Sequence, residues 1–377
     1  MRRVLFSLAI CVLGLPTLAS AADDLQPLIQ KLKSVGRLGA GNARASEAWR
    51  RLAAAPAEQL PTLLAALDDA GPLASNWIRA AVDAVAERRL QQGGRLPLLA
   101  LEKFALDTSH HPRARRLAFE WLARVDKSAP DRLIPGLLHD PSVEFRRDAV
   151  SRLLKQAESL KKSDDKAALI ALYQKALSGA RDKDQVQLLA GELRGLGEEV
   201  DLAAHYGYIL RWKVTGPFDN TEKKGFPVAY APEKNLDFAA TYRGKVGSVA
   251  WKDHVTEDES GLVDCNVALE KHMGAVGYGA AEFISDKKQT VQIRVTSLCA
   301  VKVWLNGKLL MEHEVYHAGS TEAIDQYIAA GTMKRGRNVI LIKCCQNEQT
   351  DSWAQNWDYR LRICDSAGTA ILSKDRK

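Results

Sequence analysis

AVKVWLNGKLLMEHEVYHAGS, residues 300–320, decides how the second half of the chain is read. Asn306-Gly307 lies between two apolar runs, Val301–Leu305 and Lys308–Met311. A two-residue type I′ turn needs positive φ at both positions, and Asn-Gly supplies it, so the stretch predicts a β-hairpin. The same stretch ends in His313-Glu314-Val315-Tyr316-His317. Two histidines four apart share a metal on a helix, where they stand roughly 6 Å apart on one face. In a strand the offset spreads to roughly 13 Å, too far for metal bonds of about 2 Å.

Working outward, "VQIRVTS" (Val291–Ser297), "NVILIKCC" (Asn338–Cys345) and "WDYRLRIC" (Trp357–Cys364) alternate or run apolar with β-branched residues. Short strands at this spacing predict a β-sandwich. H-E-x-x-H is the zinc metallopeptidase pattern, but here it follows a return strand and closes at Gly319-Ser320. No histidine follows His317, and Glu322 and Glu348 are poorly placed as a third ligand. The expectation is therefore no catalytic residue, no metal and no cofactor, and a zinc hydrolase built on His313, Glu314 and His317 is kept as the third alternative. No nucleophile elbow, phosphate loop or dinucleotide fingerprint occurs.

Asp23 to about Tyr208 has the other period. Apolar residues recur at three and four, with breaks at Ala70-Gly71-Pro72 and Asp140-Pro141-Ser142. Arg79, Arg116 and Arg147 recur 37 and 31 residues apart, each followed two places later by Ala81, Ala118 or Ala149. Asp68-Asp69, Asp107 and Asp140 mark the turn before each unit, where an aspartate suits a helix N-cap. Helix pairs of this length bury their apolar face only by stacking on neighbours. His110-His111 opens one of the helices as a solvated cap rather than a ligand pair.

"LIPGLLHDPSVEFRRDAVSRLL" (Leu133–Leu154) resembles the HEAT repeat family, which implies an α-solenoid and a protein-binding scaffold with no catalytic residues. "KVWLNGKLL" with "KRGRNVILIK" resembles galactose-binding-like jelly rolls, and "WKVTGPFDN" (Trp212–Asn220) their opening strand and turn. Helical repeats followed by this sandwich resemble a group of secreted bacterial proteins of unassigned function. The expected layout is a leader at 1–21, a HEAT-like domain at 22–208 and a galactose-binding-like β-sandwich at 209–377.

Met1-Arg2-Arg3, the apolar Val4–Leu15 and Ala19-Ser20-Ala21 together read as a secretory signal peptide cleaved after Ala21. The apolar run is too short to span a bilayer, so no membrane span is expected in the mature chain. Loss of Arg2 and Arg3 takes the formal net charge from +7 to +5, and no Lys/Arg block with interleaved aromatics appears, so nucleic acid is not an expected partner. Cys265, Cys299, Cys344, Cys345 and Cys364 remain, an odd number without a C-x-x-C, and their pairing is open. Adjacent Cys344 and Cys345 point to opposite faces of a strand.

"CQNEQTDSWAQNWDYR" (Cys345–Arg360) places amides, carboxylates and indoles between two strands, the composition a sugar site needs. Trp357 is in phase with Tyr359, Leu361 and Ile363 and faces the core; Trp353 is off that pattern and is the candidate stacking platform. Gln346, Asn347, Glu348, Gln349 and Asn356 are the candidate polar partners. Trp304 is a further ligand-binding candidate, either exposed or beneath a covering segment. The function expected is an exported, periplasmic or extracellular, non-enzymatic scaffold whose sandwich binds glycan and whose repeats bind an envelope protein. The alternative is a purely structural interaction module without a small ligand.

Overall fold

The computed structural model describes residues 25–163, 165–320 and 322–376; the expected leader lies outside them. Where apolar residues recur at three and four the chain is helical, and where they alternate it forms antiparallel strands. It divides into two compact units, Met1–Ala129 and Pro130–Lys377. Among the described residues no helix is long and apolar enough to cross a membrane.

The first unit holds α1 (Gln26–Lys33), α2 (Asn42–Ala53), α3 (Leu60–Ala65), α4 (Pro72–Gln91), α5 (Leu98–Leu106) and α6 (Pro112–Val125). α6 shows why such a segment is helical. Pro112 sits in its first turn, the His111 side chain accepts from the Arg113 amide at 3.2 Å, and Ala114, Leu117, Ala118, Trp121 and Leu122 form its buried stripe. α4 and α6 lie side by side. Arg79 meets Glu120 at 3.0 Å, Trp121 Nε1 donates to Asp83 at 2.8 Å and Arg124 meets Glu87 at 3.3 Å, over separations of 37 to 41 residues. The two Arg–Glu pairs are solvent-exposed and contribute little energy each, whereas the Trp121–Asp83 bond is partly buried. Ala81 and Ala118, which follow the recurring arginines by two places, are fully buried. Asp68 does not cap the helix that follows it. Its carboxylate accepts from the His111 amide at 2.8 Å and meets His110 Nδ1 at 2.7 Å, at the start of α6. Both histidines are thereby occupied in the helix start.

A short helix at Ala129–Leu133 and a 3-10 turn at Ile134–Leu137 open the second unit, and α7 (Val143–Leu160), α8 (Lys166–Gly179), α9 (Lys183–Gly195) and α10 (Leu202–Tyr206) follow. The same ladder recurs: Arg147 forks onto Asp184 at 2.9 and 2.6 Å, 37 residues on.

From Arg211 the chain forms strands: β1 (Arg211–Asp219), β2 (Thr241–Gly244), β3 (Gly247–Ala250), β4 (Lys252–Val255), β5 (Val263–Asp264) and β6 (Ala275–Ser285). Then come β7 (Gln289–Thr296), β8 (Ala300–Leu305), β9 (Lys308–His313), β10 (Tyr327–Met333), β11 (Gly336–Gln346) and β12 (Asp358–Cys364). One sheet has the order β4-β1-β6-β11-β8-β9 and the other β10-β7-β12-β5; β2 and β3 pair apart from both. One apolar core joins the two larger sheets, with Val301, Val303, Ile340 and Ile342 from the first and Ile293, Val295, Leu361 and Ile363 from the second. Asn306 and Gly307 adopt φ of 52° and 79°, the two positive values the β8–β9 turn requires. The outer face of the first sheet carries a second cluster, Phe218, Tyr278, Trp304, Leu341 and Cys345 among them, against which Phe238, Tyr242 and Trp251 of the chain between β1 and β4 pack.

The change from helix to strand falls between Tyr206 and Arg211, whereas the compact units part at Ala129 and Pro130, so α7–α10 share a unit with the sheets. Arg362 of β12 is buried and donates to the Tyr206 carbonyl at 2.9 Å. It also forks onto Asp325 at 2.7 and 2.7 Å, which Arg294 meets from β7 at 2.6 Å. On α10, His205 Nε2 donates to the Ala180 carbonyl at 3.0 Å. Burial, reinforced by the Arg181 charge, lowers its pKa to about 4. Between that value and the ordinary one near 6.5, the unfolded chain binds a proton that the folded chain refuses. Stability is complete above about pH 6.5 and falls as pH drops through this window. His205→Gln should remove that fall, so urea midpoints at pH 7 and pH 5 should differ less in the variant than in the parent. Equal differences would show that His205 titrates normally in the fold.

Candidate functional site

Register brings three loops together. Asp219 at the end of β1 and Gln346 at the end of β11 both pair with Ala275, from its two sides. The chain leaving β1, the turn before β6 and the segment 347–357 therefore meet at one end of the first sheet. Asn220 joins them. Fully buried, it donates through Nδ2 to the Gln346 carbonyl at 2.8 Å and to Tyr316 Oη at 3.2 Å, and its Oδ1 accepts from the Gly225 amide at 3.0 Å. Its own amide donates to the Gly274 carbonyl at 2.8 Å.

The segment after β9 crosses this end. The His317 amide donates to the Leu298 carbonyl at 2.7 Å, and His317 takes a left-handed φ of 58°. Its Nε2 lies 2.8 Å from Asn347 Oδ1, which also accepts from the Gln349 amide at 3.2 Å. Against this fixed imidazole stands the Trp353 indole, edge to face at 5.3 Å between ring centroids. A short 3-10 turn, Ser352–Ala354, buries Ala354 and leaves Trp353 60% exposed. Beside it Glu348 is exposed, one oxygen accepting from the Glu222 amide at 2.8 Å, and Gln349 Nε2 donates to Asp351 at 3.0 Å.

Charge is distributed around the rim. Lys223 Nζ lies 5.1 Å from the Tyr316 ring centroid, and burial raises the Tyr316 pKa. Lys245 Nζ donates to the Met273 carbonyl at 2.9 Å and lies 3.2 Å from Asp219. The Thr221 hydroxyl, and then Lys245, hold the Asp219 carboxyl below its usual range.

The candidate ligand residues separate into two groups. Trp353, Glu348 and Gln349 reach the surface of the loop. Gln346 and Asn347 are buried: Gln346 Nε2 donates to the Gln355 carbonyl at 3.0 Å, and its Oε1 has no partner among the described residues. Asn356 turns to Asp358 at 3.1 Å. Trp304 is not at this end of the loop surface; only 9% exposed, it lies in the outer-face cluster under the chain between β1 and β4. Trp357 is fully buried. His313 ends β9 opposite Val301 and stacks on Tyr327 at 4.0 Å, so the two histidines of H-E-x-x-H stand on a strand end and a turn, not on one helix. Among the described residues no group of three or more His, Cys, Asp or Glu is placed to hold a metal ion.

Sequence reading missed Asn220, Tyr316 and Lys245 as members of this end. Asn220 closes the quoted stretch "WKVTGPFDN", but nothing local announces acceptors near positions 316 and 346.

No family model matches the chain, and no curated protein matches it. Among solved structures, a β-glucuronidase of an uncultured Clostridium sp. aligns at 14% identity over 42% of this chain and 28% of its own, with a TM-score of 0.24. A β-glucosidase from Kluyveromyces marxianus aligns at 9% identity over 80% of this chain and 37% of its own, with a TM-score of 0.26. A cycloisomaltooligosaccharide glucanotransferase of Paenibacillus sp. aligns at 11% identity over 48% and 22%, with a TM-score of 0.17. This chain thus spans well under half the length of each, and at these TM-scores the likeness fixes neither fold nor activity.

Proposed function

We propose that the protein is an exported, non-enzymatic binding scaffold. In this reading the two sheets form a galactose-binding-like β-sandwich that takes glycan at the 346–356 loop, and the helices form a HEAT-like solenoid that takes a protein of the cell envelope. The observation that carries it is the exposed Trp353 indole braced against His317, with Glu348 and Gln349 beside it. A sugar ring offers C–H groups on one face and hydroxyls at its edge; an indole and neighbouring amide and carboxylate groups match both. The helical part supports scaffolding through its recurring Arg–acid ladder, the geometry of stacked pairs that leaves an extended surface.

Trp353→Ala should weaken polysaccharide binding by about 1–3 kcal/mol, the worth of a buried aromatic surface, while leaving the melt unchanged. Affinity gels over a polysaccharide panel, followed by calorimetry on any hit, measure it. A second reading has its own support, because Glu348, Gln349 and Asn356 all spend hydrogen bonds within the protein. If the parent chain is retarded by no polysaccharide, the sandwich is a structural interaction module and the loop a tightly bonded connection.

A further inference from the structure

A cleft within the second unit takes no residue from the 346–356 loop. Tyr206 at the end of α10 and Tyr208 just beyond it are buried and form its floor, their ring centroids 5.7 Å apart. Arg360 of β12, half-buried, lines it with them. Leu202 and Ile324 add apolar wall, and Asp258, Glu259 and Glu322 stand exposed at the mouth. The volume is about 400 Å³, within the range of small-molecule sites.

The walls are held by bonds that leave the floor hydroxyls out. Thr256 donates to the Leu262 carbonyl at 2.6 Å, and Asp258 Oδ1 accepts from the Ser260 amide at 2.7 Å, so the 256–262 loop closes on itself. Gly261, at a φ of 66°, lies directly on Tyr208; a Cβ there would stand 2.7 Å from the Tyr208 Cβ. From α9, Lys183 pairs with Glu322 and donates to its carbonyl at 3.1 Å. Arg376 holds the Tyr208 carbonyl at 2.9 Å. Within this frame the Tyr206 and Tyr208 hydroxyls are shielded from solvent and meet no hydrogen-bond partner among the described residues. Burial raises the pKa of both, that of Tyr208 to about 12, so each is a donor near neutral pH without an acceptor. Leaving such a group unmatched in the interior is costly. At the mouth Glu322 has Lys183 and Glu259 has Arg194, whereas Asp258 is in no ion pair among the described residues.

A ligand suited to these groups presents acceptors inward and a cation outward. A carboxylate offers acceptors to two hydroxyls and a guanidinium, and an ammonium answers Asp258. A phosphate ester is a poor match, because Lys183 and Arg360 face three carboxylates around the cleft.

We propose that this cleft binds a free α-amino acid or dipeptide, its carboxylate on Tyr206, Tyr208 and Arg360, its ammonium on Asp258 and its side chain against Leu202 and Ile324. The assignment stands apart from the glycan reading of the Trp353 loop.

The test screens the full chain by thermal shift against each common L-amino acid and a set of dipeptides at millimolar concentration, then measures any hit by calorimetry. The N-acetylated and the C-amidated forms of that hit should each bind about tenfold more weakly or worse. Tyr206→Phe and Tyr208→Phe keep the rings and remove an unmatched hydroxyl. Each should leave the ligand-free melt unchanged or higher, yet weaken binding about tenfold. Asp258→Asn should weaken it at least as much, and Ile324→Trp should close the cleft and abolish it. Should Ile324→Trp fold poorly, the two phenylalanine variants decide. The proposal is overturned if no amino acid or dipeptide shifts the melt, if the blocked analogues bind equally well, or if neutral disaccharides bind in their place. Binding that survives both phenylalanine substitutions unchanged overturns it too. Polysaccharide gels report on the other site, so either reading can fail while the other stands.

Discussion

Trp357→Ala is expected to destabilise the two-sheet region by roughly 3–5 kcal/mol, the cost of truncating a large buried aromatic side chain. The indole is completely buried among residues of both sheets. A Cβ on Gly277 of β6 would stand 3.0 Å from its Cζ2, so the ring lies directly on a glycine backbone. Its Nε1 donates to the Cys344 carbonyl at 3.1 Å, and truncation removes that donor as well as the packing. No neighbouring backbone can move into the space, because β6 and β11 are paired along their whole length. Urea unfolding followed by far-ultraviolet circular dichroism gives the difference. Trp353→Ala, four residues earlier and exposed, should stay within about 0.5 kcal/mol of the parent. Should Trp353→Ala unfold the region and Trp357→Ala melt normally, the two side chains have their roles exchanged.

The contrast between those two indoles was legible in the sequence because a strand fixes phase. Trp357 keeps step with Tyr359, Leu361 and Ile363, and Trp353 does not. The hairpin was legible for a similar reason: Asn306-Gly307 satisfies a backbone demand that few dipeptides meet. What lay beyond reading depended on distant chain. Asn347 has the composition of a sugar-binding amide, but its Oδ1 belongs to His317, thirty residues earlier. Gln346 points inward because β11 pairs to its last residue. Trp304 alternates with core residues, so its exposure turned on whether something covers the outer face. The cover is mostly irregular chain between β1 and β4, which has no period to detect. The spatial union of three loops around Asn220 likewise follows from strand order, and strand order is not a local property.

The same dependence on distant chain sets the last expectation, Lys343→Met. In "NVILIKCC" the lysine interrupts an apolar strand, and in the fold its side chain is wholly buried on the outer face of the first sheet. All three of its protons are used. Nζ donates to the Phe226 carbonyl at 3.0 Å, the Val228 carbonyl at 2.7 Å and the Glu233 carboxylate at 2.9 Å. The Tyr230 and Tyr278 rings stand 5.4 and 5.8 Å from the ammonium, and the Tyr278 hydroxyl donates to the same Glu233 oxygen. One charge thus holds the covering chain onto the sheet at three points. Methionine fills the volume but donates nothing, leaving two carbonyls without this donor and Glu233 without its cation. Breaking a buried pair from one side costs roughly 3–5 kcal/mol, most of it from the stranded charge. Glu233→Gln in the Lys343→Met background should therefore recover part of the loss, since a neutral amide still accepts from Tyr278. A double-mutant cycle by urea unfolding measures the coupling. Additive losses from the two substitutions would mean that the ion pair contributes nothing and that the carbonyl contacts alone fasten the cover.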